Sequence, residues 1–579
     1  MTILGISCFY HDAAAALVRD GRLVAAAQEE RFTRKRHDQD FPKQAIDYCL
    51  KEEGLDPVHV DTVVFYDKPF LKFERILSTY ITTFPRSLPS FLKALPIWLK
   101  EKMWIPQTIR KDLGFEGEIL FTEHHISHAA SAFLVSPYEE AAILTVDGVG
   151  EWETSTYGVG KGTSIDLRKS IHFPHSLGLL YSAFTYYLGF RVNSAEYKVM
   201  GLAPYGEPRF YDLIMRELVD VKEDGSFKIR MKYFSYDYGL TMTGRAFERL
   251  LGRPRRLPEG PLTQFYKDVA ASLQKVTDTI VVRMARHIQK ETGQKYLCMA
   301  GGVALNCVSN SKILEETSFQ DVFVQPAAGD AGGALGAAFY AYHTLMGHPR
   351  SYVMENAFLG PAFSDSFIDQ FLRERKIPAK QLGRDELLQE TARAIAEQKV
   401  VGWFQGKMEF GPRALGSRSI LADPRNPKNQ SVVNLKIKFR ESFRPFAPTV
   451  LEDRVGDYFE WNKPSPYMLF VATVRSDRRE IPAVTHVDGS ARLQTISKDQ
   501  NPLYYDLISE FESQTGCPVV INTSFNVRGE PIVCTPEDAW NCFMRTEMDV
   551  LVLGSYVLKK EEMSGIDAAA VRQEVFEPD

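Results

Sequence analysis

Residues 141–150 read Ala-Ala-Ile-Leu-Thr-Val-Asp-Gly-Val-Gly. An uncharged apolar run that stops at a glycine turn reads as a strand buried on both faces. Two alternating stretches, 154–159 and 165–171, continue it as a meander. Two further apolar runs end the same way. Residues 296–300 meet Gly301-Gly302, and 322–324 are closed by Gly329-Asp330-Ala331-Gly332-Gly333. Glycine lets backbone N–H groups approach an anion closely, and a following helix N-terminus adds positive charge. One such turn is explained as well by chain reversal as by phosphate. Three of them, two carrying an aspartate, point to a nucleotide or phosphate cleft.

Working outward, the chain also starts with strands. Residues 3–6 and 13–18 are apolar, Asp20-Gly21 is a hairpin signal, and 23–27 returns. A helix is predicted after Phe41-Pro42, and another strand at 60–65. This pattern, with the strand–Asp-Gly–strand near 147 and Gly-Gly ahead of a helix, points to an α/β chain with a two-lobed actin/Hsp70-like (ASKHA) N-terminal domain. Two similar α/β lobes clamp a nucleotide in that fold. Kinases, chaperones and group-transfer enzymes share it, so the fold does not choose the reaction.

The chain has 579 residues, 44% of them hydrophobic and 25% charged, which calls for more than one globular core. The expected boundary lies near 345–360, dividing 1–350 from 351–579. A net charge of −5 gives no footprint for nucleic acid. Seven cysteines without a CxxC spacing fit reduced thiols in a cytoplasmic protein better than a disulfide framework. The N-terminus reaches His11 and Asp12 without the basic start and long apolar run of a secretory leader. No membrane span is expected. Residues 70–107, rich in Phe, Leu, Trp and Pro, read as a plain amphipathic core helix pair or as an insertion lining a pocket or subunit contact. Exposed-looking aromatic segments here fit a homodimer.

Three of the 12 histidines fall in Glu-His-His-Ile-Ser-His, 123–128. On a helix His124 and His128 share a face one turn apart, so both reach one metal ion, and His125 points elsewhere. Asp147 and Asp330 are expected to end strands converging on the same cleft. A His₂Asp₂ set with open positions suits Fe(II), Mn(II) or Zn(II) better than Ca(II) or Mg(II). The plainer alternative is a helix cap with satisfied core histidines. His11 beside Asp12 reads either as a turn histidine or as a base that titrates near neutral pH. Glu196 and Lys198 are expected on one side of an extended segment, binding phosphate and acceptor or pairing with each other.

After residue 350 the chain becomes rich in Arg, Gly and Pro. Arg413, Arg418, Arg425, Lys436, Lys438, Arg440 and Arg444 are interleaved with Phe, Pro and Leu. Farther on come Arg492, and then Asn522, Ser524, Asn526 and Arg528. Arginine forks match phosphate oxygens bidentately, so the region reads as a dianion-plus-nucleotide site, with a structural salt-bridge network as the alternative.

Five segments now meet a family. They are HDAAAAL at 11–17, HHISHAASAF at 124–133, EYKVMGLAPYG at 196–206, GGVALN at 301–306 and GDAGGALGAA at 329–338. They resemble the O-carbamoyltransferases of the nodulation and antibiotic-tailoring type. The first domain of that family is similar to the tRNA threonylcarbamoyl-transfer protein. Residues 351–579 look like the α/β YrdC-like, carbamoyl-adenylate-forming domain. The resemblance implies His124, His128, Asp147 and Asp330 as metal ligands, Fe(II) as the metal with other divalent ions as alternatives, and Mg(II) alongside. It implies Gly148, Lys198, Gly301, Gly302, Val303, Asn306, Gly329 and Gly332 at the nucleotide, and His11, Asp12 and Glu196 at the acceptor, with His11 the base. Lys438 and Arg440 match a Lys-x-Arg motif and Ser524 and Asn526 a Ser-x-Asn motif. Arg413, Arg418, Arg492, Asn522 and Arg528 join them around carbamoyl phosphate and the adenylate. ATP and carbamoyl phosphate would be co-substrates, and a small-molecule hydroxyl the acceptor, with contacts sought at 70–107 and 235–262. An actin-fold kinase, an Hsp70-like switch protein and a tRNA-modifying enzyme are the rival readings.

Overall fold

The computed structural model describes residues 1–441, 443–478 and 480–563. The chain divides into two compact units. One holds Met1–Glu29 and His37–Met354; the other begins again at Glu355 and also takes in Glu30–Arg36.

The first unit contains two five-stranded sheets. Its strands are β1 (Thr2–Ser7), β2 (Ala14–Arg19), β3 (Arg22–Gln28), β4 (Thr62–Phe65), β5 (Glu118–Phe121), β6 (Glu140–Val146), β7 (Glu153–Lys161), β8 (Ser164–His172), the hairpin β9 (Val219–Val221) and β10 (Phe227–Ile229), β11 (Tyr296–Ala300) and β12 (Asp321–Val324). The sheets run β3-β2-β1-β4-β5 and β12-β11-β6-β7-β8. In each, a three-strand antiparallel meander is followed by two strands parallel to its first. One topology used twice in one unit is the arrangement of the actin/Hsp70-like fold. The central strands are buried along all but a terminal residue, which is why β1, β2 and β6 read as apolar runs. The Asp20-Gly21 turn holds both residues at positive φ, as a two-residue hairpin demands.

Two helices cross at the middle of this unit. His124–Phe133 follows β5 and packs on β6 and β11; Asp330–Phe339 follows β12 and packs on β1 and β2. Their close approach explains the small residues. A β-carbon on Gly336 would overlap the Ser127 carbonyl oxygen, and one on Gly5 the Ala334 carbonyl oxygen.

The segment 70–107 is not a plain core helix pair. The helix Pro69–Thr83 buries Pro69, Lys72 and Arg75, while Phe70, Leu77 and Ile81 are exposed. Among the described residues no helix is long and apolar enough to cross a membrane. All seven cysteines are buried and free.

The second unit is built on β13 (Lys380–Gln381), β14 (Val401–Phe404), β15 (Arg418–Ala422), β16 (Ala447–Leu451), β17 (Phe470–Thr473), β18 (Ser490–Ile496), β19 (Val519–Ser524), β20 (Val550–Leu553) and β21 (Tyr556–Lys559). Their order is β13-β21-β20-β14-β15-β19-β16-β18-β17. The expected single strand at 550–558 is a hairpin, turned at Gly554 and Ser555. β15 and β16 run antiparallel to β19, and β18 runs parallel to β16. The C-terminal ends of β14 and β19 therefore share one end of the sheet with the starts of β15, β16 and β18. Loops 405–417, 438–446 and 525–530 gather there.

Candidate functional site

The helix His124–Phe133 starts with an acidic anchor. The Glu151 carboxylate accepts the His124 amide at 3.0 and 3.1 Å and the Lys68 amide at 2.8 Å. Negative charge at a helix N-terminus is favourable and fixes the first turn. Burial, then the nearby Asp67 charge, lifts the Glu151 carboxyl to about 7.

That first turn aims both histidines inward, onto the first residue after β6 and the first turn of the crossing helix. His124 Nε2 lies 2.9 Å from Asp147 Oδ2 and 3.1 Å from His128 Nε2. His128 Nε2 lies 3.6 Å from Asp147 Oδ2, and both Nε2 atoms lie 3.7 Å from Asp330 Oδ1. All four side chains are buried and offer one donor atom each within a 4.8 Å cluster. Donors held tetrahedrally about 2.1 Å from a divalent ion sit about 3.4 Å apart, so these spacings fit such an ion. Among the described residues both Nδ1 atoms and Asp330 Oδ2 are buried without a hydrogen-bond partner, so protein contacts leave part of the cluster's hydrogen-bonding capacity unmet. Two imidazoles with two carboxylates match a borderline divalent cation. Asp147 follows its strand as expected. Asp330 instead opens a helix.

The four groups perturb one another. Burial holds His124 well below the usual imidazole range. Burial would also depress His128, but the Asp147 carboxylate 3.6 Å away, and then the Asp330 charge, raise it. Burial, then the Asp147 charge, lifts Asp330 to about 7. Burial opposes the Asp147 charge, yet the two histidines hold its carboxyl well below the usual range. His125 is separate; its ring bonds the Thr145 hydroxyl and the Glu153 carbonyl.

Asp147 also ties the cluster to the glycine turn, because its Oδ1 accepts the Gly302 amide at 2.8 Å. Gly301 has φ 93°, and a β-carbon there would meet the Val146 backbone. Gly332 is needed for packing against the Ala327 carbonyl, while Gly148 and Gly329 have open space. Val303 lies in the short turn Gly302–Leu305. Asn306 is used by the fold: its side chain accepts the Ser309 amide and exchanges hydrogen bonds with Gln274.

His11 Nδ1 is 3.0 Å from Asp12 Oδ2, and its Nε2 donates to the Asn193 carbonyl at 2.6 Å. With an acceptor at each nitrogen the ring holds two protons. Burial would lower its pKa, but Asp12 outweighs burial and sets it at about 10. In this conformation His11 is an imidazolium, so it becomes a base only when it loses a proton. His37 bonds the other Asp12 oxygen at 2.7 Å. Glu196 and Lys198 are not on an extended segment; they lie in the helix Glu196–Leu202. Glu196 accepts the Ser182 hydroxyl and the Asn193 amide, which positions the loop against His11. Lys198 is buried, 5.6 Å from the Phe190 ring centre.

In the second unit, Lys438 meets the Ser-x-Asn segment. Its Nζ donates to the Ser524 carbonyl at 2.6 Å, the Asn526 carbonyl at 2.9 Å and Asn526 Oδ1 at 2.5 Å. Burial, then the Arg440 charge, drives its pKa well below the ordinary lysine value. Arg440 bonds Asn434 and lies over Phe446, and the Arg528 amide donates to the Lys438 carbonyl.

The comparisons with known proteins follow this division. A model described as carbamoyltransferase N-terminus matches residues 2–339, and one described as carbamoyltransferase C-terminus matches 392–560. The chain belongs to the carbamoyltransferase family. It is 53% identical to an uncharacterized protein of Synechocystis over the full length of both. It is 39% identical to nodulation protein NolNO of Sinorhizobium fredii, over 96% of this chain and 80% of that one. Nodulation protein U of Rhizobium tropici is 32% identical, over 91% of each.

Within this carbamoyltransferase the structure separates three kinds of expected residue. His124, His128, Asp147 and Asp330 come together, as do Lys438, Ser524 and Asn526. Arg413, Arg492 and Arg528 belong to the loops and strand start gathered at one end of the sheet. Arg418 and Asn522 are consumed by the fold. Arg418 is fully buried, donates to the Gln405, Gly406 and Pro361 carbonyls, and stacks 3.7 Å from the Phe404 ring centre. Asn522 bonds Thr449 and Gln494 within the sheet. Sequence reasoning missed Glu151, four residues beyond Asp147, and Lys72 in the apolar insertion. A charge inside an apolar stretch was the available signal for Lys72.

Proposed function

We propose that this carbamoyltransferase converts carbamoyl phosphate and ATP to carbamoyl-adenylate in its second unit and transfers the carbamoyl group to a hydroxyl of a small molecule in its first. The observation that carries this reading is Lys438. Its ammonium is buried, its hydrogen-bond partners above are neutral oxygens, and Arg440 and Arg444 add like charge beside it. A buried cation cluster of this kind is stabilised by an anionic ligand. Arginine forks suit phosphate oxygens and the lysine a single one.

In the first half-reaction water takes the phosphoryl group of carbamoyl phosphate, leaving carbamate and phosphate. A carbamate oxygen then bonds to the α-phosphorus of ATP, the bond to the β-phosphate oxygen breaks, and pyrophosphate leaves. Lys438 and the arginines offset negative charge on the transferring oxygens. In the second, the acceptor oxygen bonds to the carbamoyl carbon, the bond to the adenylate oxygen breaks, and AMP leaves. The hydroxyl proton goes to unprotonated His11 Nε2, with Asp12 holding Nδ1–H and so selecting the tautomer. His124, His128, Asp147 and Asp330 would hold a divalent cation, Fe(II) on the sequence resemblance, whose chemistry when bound is Lewis-acid attraction for phosphate oxygens. Glu151 keeps the histidine helix in register, and Gly302 holds Asp147.

Pyrophosphate release from ATP, measured with and without carbamoyl phosphate, tests this. The expected result is release that requires carbamoyl phosphate, with AMP appearing only when an acceptor is added. Formation of ADP instead would replace the reading with a kinase.

A further inference from the structure

The helix Pro69–Thr83 is inside out. Phe70, Leu77 and Ile81 lie on its exposed side, while Lys72 and Arg75, one turn apart, are buried. Burying a cation costs more than burying a leucine, so packing does not favour this orientation. Lys72 has a carboxylate partner in Asp67, and its Nζ lies 4.8 Å from the Tyr10 ring centre and 5.6 Å from that of Tyr66. Arg75 has none. It is 6% exposed, and among the described residues its guanidinium makes no hydrogen bond or ion pair. The Phe173 ring centre lies 5.0 Å from its guanidinium carbon. Glu151 attracts it from farther away, but that carboxylate is committed to the His124 and Lys68 amides. Guanidinium stays charged at neutral pH, so a buried Nε–H and the adjoining N–H fork stand without a protein hydrogen bond, in a geometry that fits an oxyanion.

The surroundings say where this fork works. Tyr10, whose hydroxyl feels both Arg75 and Lys72, precedes His11 and also feels Asp330 and Asp147. Tyr66, beside Lys72, lies 5.4 Å from the His124 ring, centre to centre. Lys72 is thus tied to the four-donor cluster through Tyr66, and Tyr10, next to His11 in the chain, joins Arg75 to Lys72.

We propose that Arg75, with Lys72 beside it, is an anion subsite of the first unit, binding a phosphate or carboxylate group. This rests on the reading that the first unit carries out the transfer. The group is then either the phosphate of the carbamoyl donor or an acid on the acceptor.

The test uses the full chain and two variants, Arg75→Met and Arg75→Lys, with inorganic phosphate and acetate as probes in calorimetric titrations and thermal melts. Arg75→Met should melt higher than the parent in probe-free buffer, because an unpartnered buried charge is gone. It should bind one probe at least ten-fold more weakly, with Arg75→Lys between the two. Weakened phosphate binding assigns the donor's phosphate; weakened acetate binding assigns a carboxylate on the acceptor. Phosphate bound elsewhere contributes equally to all three proteins. Unchanged affinity for both probes overturns the proposal, whatever the melting temperatures. Carbamoyl-phosphate-dependent pyrophosphate release by the parent protein is measured separately, so failure of the reaction reading is told apart from failure of the subsite.

Discussion

Asp12→Asn should move the pH dependence of carbamoyl transfer by whole units. Asp12 Oδ2 is 3.0 Å from His11 Nδ1. At that separation two unit charges attract by about 1.4 kcal/mol in a water-like dielectric and by about 5.5 kcal/mol at an effective dielectric of about 20. At about 1.36 kcal/mol per pH unit, that is a shift of roughly 1 to 4 units. The ring holds its proton to about 10 in the folded protein, against an ordinary imidazole value of about 6.5. A base works unprotonated, so kcat/KM of the parent should climb with pH toward that value. Without the carboxylate the climb should move down by 1 unit or more, to a lower plateau because the base is weaker. The linked stability has the opposite sense. A raised folded-state pKa contributes stability that is fully present below about 6.5 and is lost as pH rises through about 10, and the asparagine variant should lack it. The assay is kcat/KM for carbamoylated product from pH 6 to pH 10.5, with the His11 ring proton followed by NMR. A parent profile with its climb at the ordinary imidazole value, or one that coincides with that of the variant, would refute the role assigned to Asp12.

Four other outcomes are expected. His128→Ala should lose bound divalent metal by elemental analysis and lose transfer at least a hundred-fold, yet keep pyrophosphate release; equal loss of both half-reactions in a folded variant would contradict the division of labour. Lys438→Met should abolish carbamoyl-phosphate-dependent pyrophosphate release and leave metal content unchanged. Arg34→Met should cost about 3 kcal/mol in denaturant unfolding, since breaking a buried pair leaves its partner uncompensated; Arg34 bonds Glu530 at 3.0 Å and the Pro531 and Ile532 carbonyls, and Glu530 in turn holds the Val527 amide. Gly336→Ala should destabilise by about 1–3 kcal/mol or more and weaken metal binding, because the added methyl drives the two crossing helices apart.

The residues themselves carried much of the fold. Strand runs ending in Asp-Gly or Gly-Gly turns announced an α/β cleft protein, because sheets buried on both faces leave uninterrupted apolar stretches. His-x₃-His announced a shared helix face, because helical geometry is local. Lys438 and the Ser-x-Asn segment could be paired only through family resemblance, since 86 residues separate Lys438 from Ser524. Other features were not legible. The two sheets repeat a topology, not a spacing, so no internal repeat showed in the sequence. Arg418 looks like its neighbours in the basic stretch, yet it ends among carbonyls because β15 carries it into the core. Glu196 and Lys198 fit a strand or a helix equally over three residues, and the tertiary contacts of Glu196 with Ser182 and Asn193 go with the helix. The inward turn of Arg75 ran against its hydropathy. Sequence determined which local elements form and which donors lie one turn apart. Only the tertiary structure decided which charges face one another and which are spent on the fold, because burial and partner distance belong to the packed chain and not to any stretch of it.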